Sequence, residues 1–169
     1  SKGLGQAIAV SLAKEGARVV LTGRTVEALE RTAKQIIEAG GRATVLPWDL
    51  HQLNEIDLKI SQIEKEVGPV DILINNTGGP PPGNISNAHS QEFYDAFTRL
   101  LVSSHEITMH VLPGMKKEGW GRIINIISTS VRQPLDGLGV SNTIRGATAS
   151  WAKTLSNEVA AYGITVNSI

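Results

Sequence analysis

Cysteine is absent from the 169 residues of the chain, which excludes disulfides, thiolate catalysis and cysteine-ligated metals. Neither charge sign is in excess, because 16 basic residues balance 16 acidic ones, so nothing predicts a general attraction to nucleic acid or anionic membranes. The sequence also lacks an apolar run near the roughly 20 residues of a membrane span, and it lacks a signal peptide at its start. The lack of cysteine fits a reducing compartment, and we expect a cytoplasmic protein.

The remaining composition is that of a globular protein, with 41% hydrophobic and 19% charged residues. The length suits one domain with its own core. Histidines give no metal site, because His105 and His110 are five residues apart, whereas one helix face needs a spacing of four.

Apolar segments that read as strands alternate with segments of helical periodicity. Single helices between strands indicate right-handed crossovers and a parallel sheet, and continuously apolar strands indicate a sheet covered on both faces. The sequence therefore predicts a three-layer α/β/α, doubly wound parallel sheet of the Rossmann type over residues 1–169. The predicted helices are 4–15, 26–41, 52–67, 91–118 and 140–162, and the predicted strands are 18–23, 43–50, 70–76, 121–127 and 164–169.

No strand precedes the first helix, although in a doubly wound sheet the strand that feeds the phosphate-binding helix is central. Without it the neighbouring strands would carry unpaired edges. We therefore expect the domain to be incomplete here, with a first strand and a C-terminal segment outside these residues.

The opening segment SKGLGQAIA places Gly3, Leu4 and Gly5 at a helix N-terminus. Backbone N–H groups and the helix dipole suit a pyrophosphate there, and glycine lets a ligand approach the backbone closely. Lys2 adds a positive charge. Two glycines before a helix also occur in simple loops, so this segment alone leaves both interpretations open.

The next strand ends in Thr22-Gly23-Arg24. Nucleotide-binding folds that select NAD place an acidic residue near this point for the ribose 2′-hydroxyl. A cation suits a 2′-phosphate, so Arg24 favours NADP(H) over NAD(H). The alternative is a solvated arginine at a strand end.

The other strands continue this row of polar and small residues at their carboxyl ends, the edge at which open α/β sheets bind ligands. Asp49 and Leu50 are placed for an adenine, and Ser128 follows a later strand. Asn76 is placed either beside a cofactor or in a buried hydrogen bond between loops. The predicted cofactor-binding residues are Lys2, Gly3, Leu4, Gly5, Arg24, Asp49, Leu50, Asn76, Thr77 and Gly78.

Several segments together resemble the short-chain dehydrogenases/reductases: SKGLGQAIA, NNTG, VLPGMKKEGWGRIINIIS and AYGITVNSI. The resemblance covers essentially the whole chain and is greatest to the bacterial 3-oxoacyl-acyl-carrier-protein reductase branch. The loop GGPPPG and the segment SNTIR resemble an atypical subgroup of that branch. The resemblance implies an NADP(H)-dependent oxidoreductase acting on a carbonyl or hydroxyl substrate, such as an oxoacyl thioester on an acyl carrier.

The family's catalytic set is Asn, Ser, Tyr and Lys, and its positions transfer only in part. The serine falls on Ser128, the tyrosine on Ser141, the lysine on Arg145 and the asparagine on Leu100. The predicted catalytic residues are therefore Ser128, Ser141 and Arg145.

These replacements weaken proton transfer. A serine hydroxyl is far less acidic than a tyrosine, whose free pKa is about 10, and arginine stays protonated. Loss of a positioned general acid lowers the reaction rate by roughly 10²- to 10⁴-fold. Two hypotheses follow: an oxidoreductase whose proton comes from solvent or substrate, or a cofactor-binding sensor or partner subunit with a degenerate site.

The stripe of Trp151 with Val140, Ile144, Leu155 and Val159 indicates core or subunit interface. The resemblance implies a homodimer or homotetramer through the helices 91–118 and 140–162. The prolines of GGPPPG either stiffen the substrate wall or fix a turn.

Overall fold

The computed structural model describes residues 3–169, so the predicted role of Lys2 lies outside the described residues. Helices and strands alternate along the chain, as predicted. The helices are α1 (Gly3–Lys14), α2 (Val26–Glu38), α3 (Ile56–Glu66), α4 (Ser90–Phe97), α5 (Ser103–Glu118) and α6 (Gly139–Val159). The strands are β1 (Arg18–Gly23), β2 (Arg42–Pro47), β3 (Ile72–Asn75), β4 (Gly121–Asn125) and β5 (Ile164–Ser168).

Several predicted boundaries were wrong by three or four residues, among them the start of α3 (predicted at 52) and the end of α6 (predicted at 162), each of which is flanked by a short 3₁₀ turn. The helix predicted over 26–41 ends at Glu38, because the chain turns through Ala39 and a left-handed Gly40 (φ 85°). The strand predicted over 43–50 ends at Pro47, although the Trp48 amide still donates to the Gly23 carbonyl (3.0 Å). The Trp48 side chain turns into the core instead of continuing the strand.

The strands are parallel, as predicted, and they form two sheets. β1 pairs with β2, and β3, β4 and β5 pair in that order. The main hydrophobic core joins both sheets, since Leu46 of β2 packs in one cluster with Ile107 of α5 and Ile123 of β4. Within residues 3–169 the two sheets contact each other through side-chain packing and share no pair of hydrogen-bonded strands.

A cavity of about 760 Å³ separates the facing edges of β1 and β3. Aliphatic side chains of both strands line it, among them Val20 and Ile74. Within residues 3–169 these facing edges have no strand partner. A further central strand at this position stays a prediction.

The long helix predicted over 91–118 is two α-helices joined by a π-helical turn at Thr98–Val102. Such turns are rare and are frequently found at functional sites. Pro113 lies inside α5, five residues before it ends. None of the helices in residues 3–169 is long and apolar enough to cross a membrane.

Candidate functional site

The glycine-rich turn forms the start of α1. Gly3 has φ 53°, a left-handed conformation that favours glycine, and no atom of the described residues lies within 4 Å of the position of a Cβ. The first turn of α1 carries no acidic side chain. No carboxylate of this turn therefore opposes an anion at the amide groups of the helix N-terminus.

Gly5 is the point at which this turn lies close to the carboxyl end of β3. A Cβ on Gly5 would lie 2.6 Å from Nδ2 of Asn76, so any side chain there displaces Asn76. Asn76 itself is exposed and makes no side-chain hydrogen bond to the described residues. Of the two roles predicted for it, a buried hydrogen bond between loops is therefore wrong.

The buried hydrogen bond belongs to the preceding residue, Asn75. Its Nδ2 donates to Oδ1 of Asn125 (2.9 Å), and Nδ2 of Asn125 donates to the carbonyl of Asn167 (3.4 Å). Both amides are buried, at 8% and 1% exposure. These two hydrogen bonds connect β3, β4 and β5 at their carboxyl ends, next to the candidate site.

The basic strand tip lies among other charged groups. Arg24 is exposed, and the amide of His51 donates to Oδ1 of half-buried Asp49 (3.2 Å). Burial lowers the pKa of His51, and Arg99 and Arg24 lower it further, while Asp49 and Asp95 oppose them. Charges of both signs therefore lie around His51 near the end of β1.

Ser128 lies three residues beyond the end of β4. Its Oγ accepts a hydrogen bond from the amide of Ser130 (3.1 Å) and so begins a short 3₁₀ turn. The hydroxyl proton of Ser128 is not used in this bond, which leaves it available to a ligand.

Arg145 attaches α6 to the chain just before Ser128. Its Nη1 donates to the carbonyls of Ile126 (3.1 Å) and Ile127 (2.8 Å), and its Nε donates to Oγ of Ser141 (3.3 Å). Burial lowers the pKa of this guanidinium. Arg145 thus contacts Ser141 directly and the residue that precedes Ser128, and Ser141 is only 9% exposed.

Leu100 occupies the π-helical turn and is buried beside this group. It lines a cavity of about 10 Å³, close to the smallest space that holds one water. The other residues around this space are Asn75, Thr77, Ser104, Asn125, Ile126, Ile127, Arg145 and Thr148.

The proline loop is fastened to the start of α6. The Gly83 amide donates to the carbonyl of Gly137 (2.6 Å), and the Gly139 amide donates to the carbonyl of Gly83 (3.0 Å). A Cβ on Gly139 would lie 2.6 Å from both N and Cα of Ile85. We call these two hydrogen bonds the Gly83 clasp; they hold one wall of the cleft against the helix that carries Ser141.

Comparison with known proteins decides the family. The sequence pattern described as short chain dehydrogenase matches residues 1–169. The chain belongs to the short-chain dehydrogenase/reductase family.

Two solved members of the short-chain dehydrogenase/reductase family share the fold. L-sorbose reductase from Gluconobacter frateurii, solved with NADPH and L-sorbose, superposes with a TM-score of 0.92 at 31% identity. An actinorhodin polyketide ketoreductase, solved with NADPH, gives 0.92 at 34% identity. Each match covers 98% of this chain and 64% of the other.

Among curated relatives in the family, the ketoacyl reductase HetN of Nostoc sp. is 32% identical over 167 residues. That match takes in 99% of this chain and 58% of HetN. The chain thus spans about three-fifths of this relative's length.

Sequence reasoning missed several residues of this site. His51 and Arg99 were unremarkable as sequence, because only the fold brings α4–α5 near the end of β1. The Gly83 clasp was also missed, although the GGPPPG loop pointed to its position. Asn75 had a usable signal: it is a polar residue inside an otherwise apolar strand, and such residues need a buried partner.

Proposed function

We propose that the chain is the cofactor-binding and reacting part of an NADP(H)-dependent carbonyl reductase. The observation that carries this proposal is Arg145, fixed by three hydrogen bonds between Ser141 and the end of β4. It places a cation and two hydroxyl groups at the carboxyl edge of the sheet, where α/β folds bind ligands.

The residues present fit a phosphorylated dinucleotide. The open space at Gly3 and the helix N-terminus of α1 would receive the pyrophosphate, with Leu4 and Gly5 in the same turn. Arg24 would pair with a 2′-phosphate, which favours NADP(H). Asp49 and Leu50 would border the adenine, and Asn76, Thr77 and Gly78 the middle of the cofactor. When bound, this cofactor supplies the hydride.

The chain's own groups then position the carbonyl. The free hydroxyl proton of Ser128 suits a hydrogen bond to the substrate oxygen. Arg145 stabilises negative charge on that oxygen without releasing a proton, because arginine does not deprotonate in proteins. The proton consequently comes from solvent or from the substrate, and we expect slow turnover.

The names of the relatives support ketones as the substrate class. HetN is called a ketoacyl reductase, and the ketoreductase structure is named for a polyketide. A 3-oxoacyl thioester, free or on an acyl carrier, is the first substrate to test.

A second candidate function is a cofactor-binding sensor or partner subunit. Two observations favour it: Ser141 is nearly inaccessible, and Leu100 brings an apolar side chain to the family's asparagine position. Both remove groups that would deliver a proton.

Titration of the full-length protein with NADPH and NADH, followed by NADPH-oxidation assays, tests these proposals. Tighter NADPH binding with turnover of oxoacyl thioesters or small ketones supports the reductase. NADPH binding without turnover supports the sensor, as would a gain of activity in Ser141→Tyr/Arg145→Lys. Absence of binding to either cofactor would refute both.

The proposal includes a homodimer or homotetramer through helices 91–118 and 140–162. Tyr94 and Phe97 of α4 are exposed, at 67% and 43%, and Trp151 of α6 is half-buried, with its Nε1 donating to Nδ1 of His105 (3.3 Å). Light scattering on the full-length protein should show a smaller assembly for Phe97→Glu. The matched control is Leu58→Glu, since Leu58 is a 68% exposed residue of α3. A monomeric native protein would contradict this.

A further inference from the structure

Arg145 has more hydrogen-bond donors than the chain uses. A guanidinium has five N–H groups, of which Nη1 directs two to the carbonyls of Ile126 and Ile127, and Nε one to Ser141. The two N–H groups of Nη2 have no hydrogen-bond partner among residues 3–169. The Nη2 side of the guanidinium is therefore available to a ligand.

The charge of Arg145 is also unmatched. No carboxylate in the described part of the chain lies within salt-bridge distance of its guanidinium. Its protein partners are two carbonyls and one hydroxyl, all neutral. A partly desolvated cation without an anion is costly, and a bound anionic group would reduce that cost.

Gly79 leaves a path to Nη2. A Cβ on this glycine would lie 3.2 Å from Nη2, closer than side chains normally approach. Gly79 has no left-handed backbone that requires glycine. Because Gly79 has no side chain, the space beside Nη2 of the guanidinium stays open.

A bound cofactor does not supply this anion in the proposed function. Its phosphates would lie at the start of α1 and at Arg24, whereas Arg145 contacts the carbonyls of Ile126 and Ile127 after β4. The anion beside Arg145 then comes from the substrate.

We propose that the site selects oxo acids, in which a carboxylate adjacent to the reacting carbonyl binds Nη2 of Arg145. This inference rests on the proposed function and, within its ketone substrates, favours 2-oxo acids over 3-oxoacyl thioesters. Hydride passes from NADPH to the carbonyl carbon, its oxygen takes a proton from solvent, and the products are a hydroxy acid and NADP⁺. The carboxylate is unchanged.

The test compares an acid with its neutral counterpart in the full-length protein. With NADPH, kcat/KM for 2-oxobutyrate should exceed that for methyl 2-oxobutyrate by roughly 10- to 100-fold, the range for a charge-assisted hydrogen bond. Arg145→Gln should remove this preference. If the native protein reduces the ester equally well, or if the variant slows both substrates equally, Arg145 is only structural and the inference is refuted.

A binding measurement covers the case in which turnover is absent. On the NADPH complex, calorimetry should detect oxamate, a non-reducible oxo-acid analogue, and little or no oxamide, its neutral analogue. Gly79→Ala should weaken oxamate binding several-fold. Gly146→Ala is the control, because the same methyl meets no atom within 4 Å there. Equal binding of oxamate and oxamide refutes the inference.

These outcomes separate the two proposals. Failure of NADPH itself to bind refutes the proposed function. NADPH binding with no preference for the charged compounds refutes only the oxo-acid inference.

Discussion

The two sheets carry the two halves of the candidate site, and they differ in how their residues are held. At the end of β1 the charged tip is exposed, and Arg24 makes no ion pair with the described residues. At the ends of β3 and β4, buried amides and Arg145 form a connected set of hydrogen bonds. The first half is suited to attract a charged ligand, and the second to hold reacting groups in place.

This difference shows that the framework of a site is separable from its chemistry. The reacting half has a sheet edge, a π-helical turn and a helix start, and these carry Leu100, Ser141 and Arg145, the residues predicted to replace family side chains. The framework depends on backbone hydrogen bonds and packing, and the chemistry depends on the side chains that it carries.

The largest effect is expected from Gly139→Ala, which disturbs the half of the site at the ends of β3 and β4. Its Cβ would lie 2.6 Å from backbone atoms of Ile85, so the Gly83 clasp must open. We expect a loss of about 1–3 kcal/mol in the free energy of unfolding and a drop in turnover with unchanged NADPH affinity. Urea unfolding and kinetics measure these. Stability equal to that of native protein would show that the clasp is not needed.

Asn125→Ala should rank second. It leaves the buried Nδ2 of Asn75 without its acceptor, which costs about 1–3 kcal/mol. A double-mutant cycle with Asn75→Ala measures the coupling by urea unfolding. Additive losses would mean that the amides act independently.

Arg24→Gln tests the exposed half. Removing the charge should weaken NADPH binding about tenfold, because a charge-assisted hydrogen bond is lost, and should leave NADH binding and stability unchanged. Calorimetric titration with each cofactor provides the measurement, and Arg18→Gln, at the opposite end of β1, is the control. Equal weakening for both cofactors would place Arg24 outside the 2′-phosphate site.

The smallest effect concerns pH. Burial lowers the pKa of folded His51 below its unfolded value of about 6.5, so the unfolded chain binds more protons in that range. Stability from neutral His51 is therefore present above about pH 6.5 and lost as pH falls toward the folded pKa. Between about pH 7 and about pH 5, the free energy of unfolding in urea should fall less for His51→Gln than for the native protein. His89→Gln is the control and should behave like the native protein.

The sequence predicted the order and type of the elements because alternating apolar strands and amphipathic helices leave a strong local signal. It also placed Ser141 and Arg145 one helical turn apart on one helix face, and the two side chains are hydrogen-bonded. Local pattern cannot reveal the contact of Gly5 with Asn76, nor that Arg145 directs Nη1 to two carbonyls, because both depend on distances between distant segments.

The closeness of Gly5 to Asn76 has a geometric consequence. The proposed cofactor site extends from Arg24, after β1, to Asn76, after β3, and Gly5 fixes how closely the start of α1 approaches the second of these residues. The turn at Gly5 thus acts as a spacer, and a bulkier residue there would change the reach between the two halves as well as the local fit.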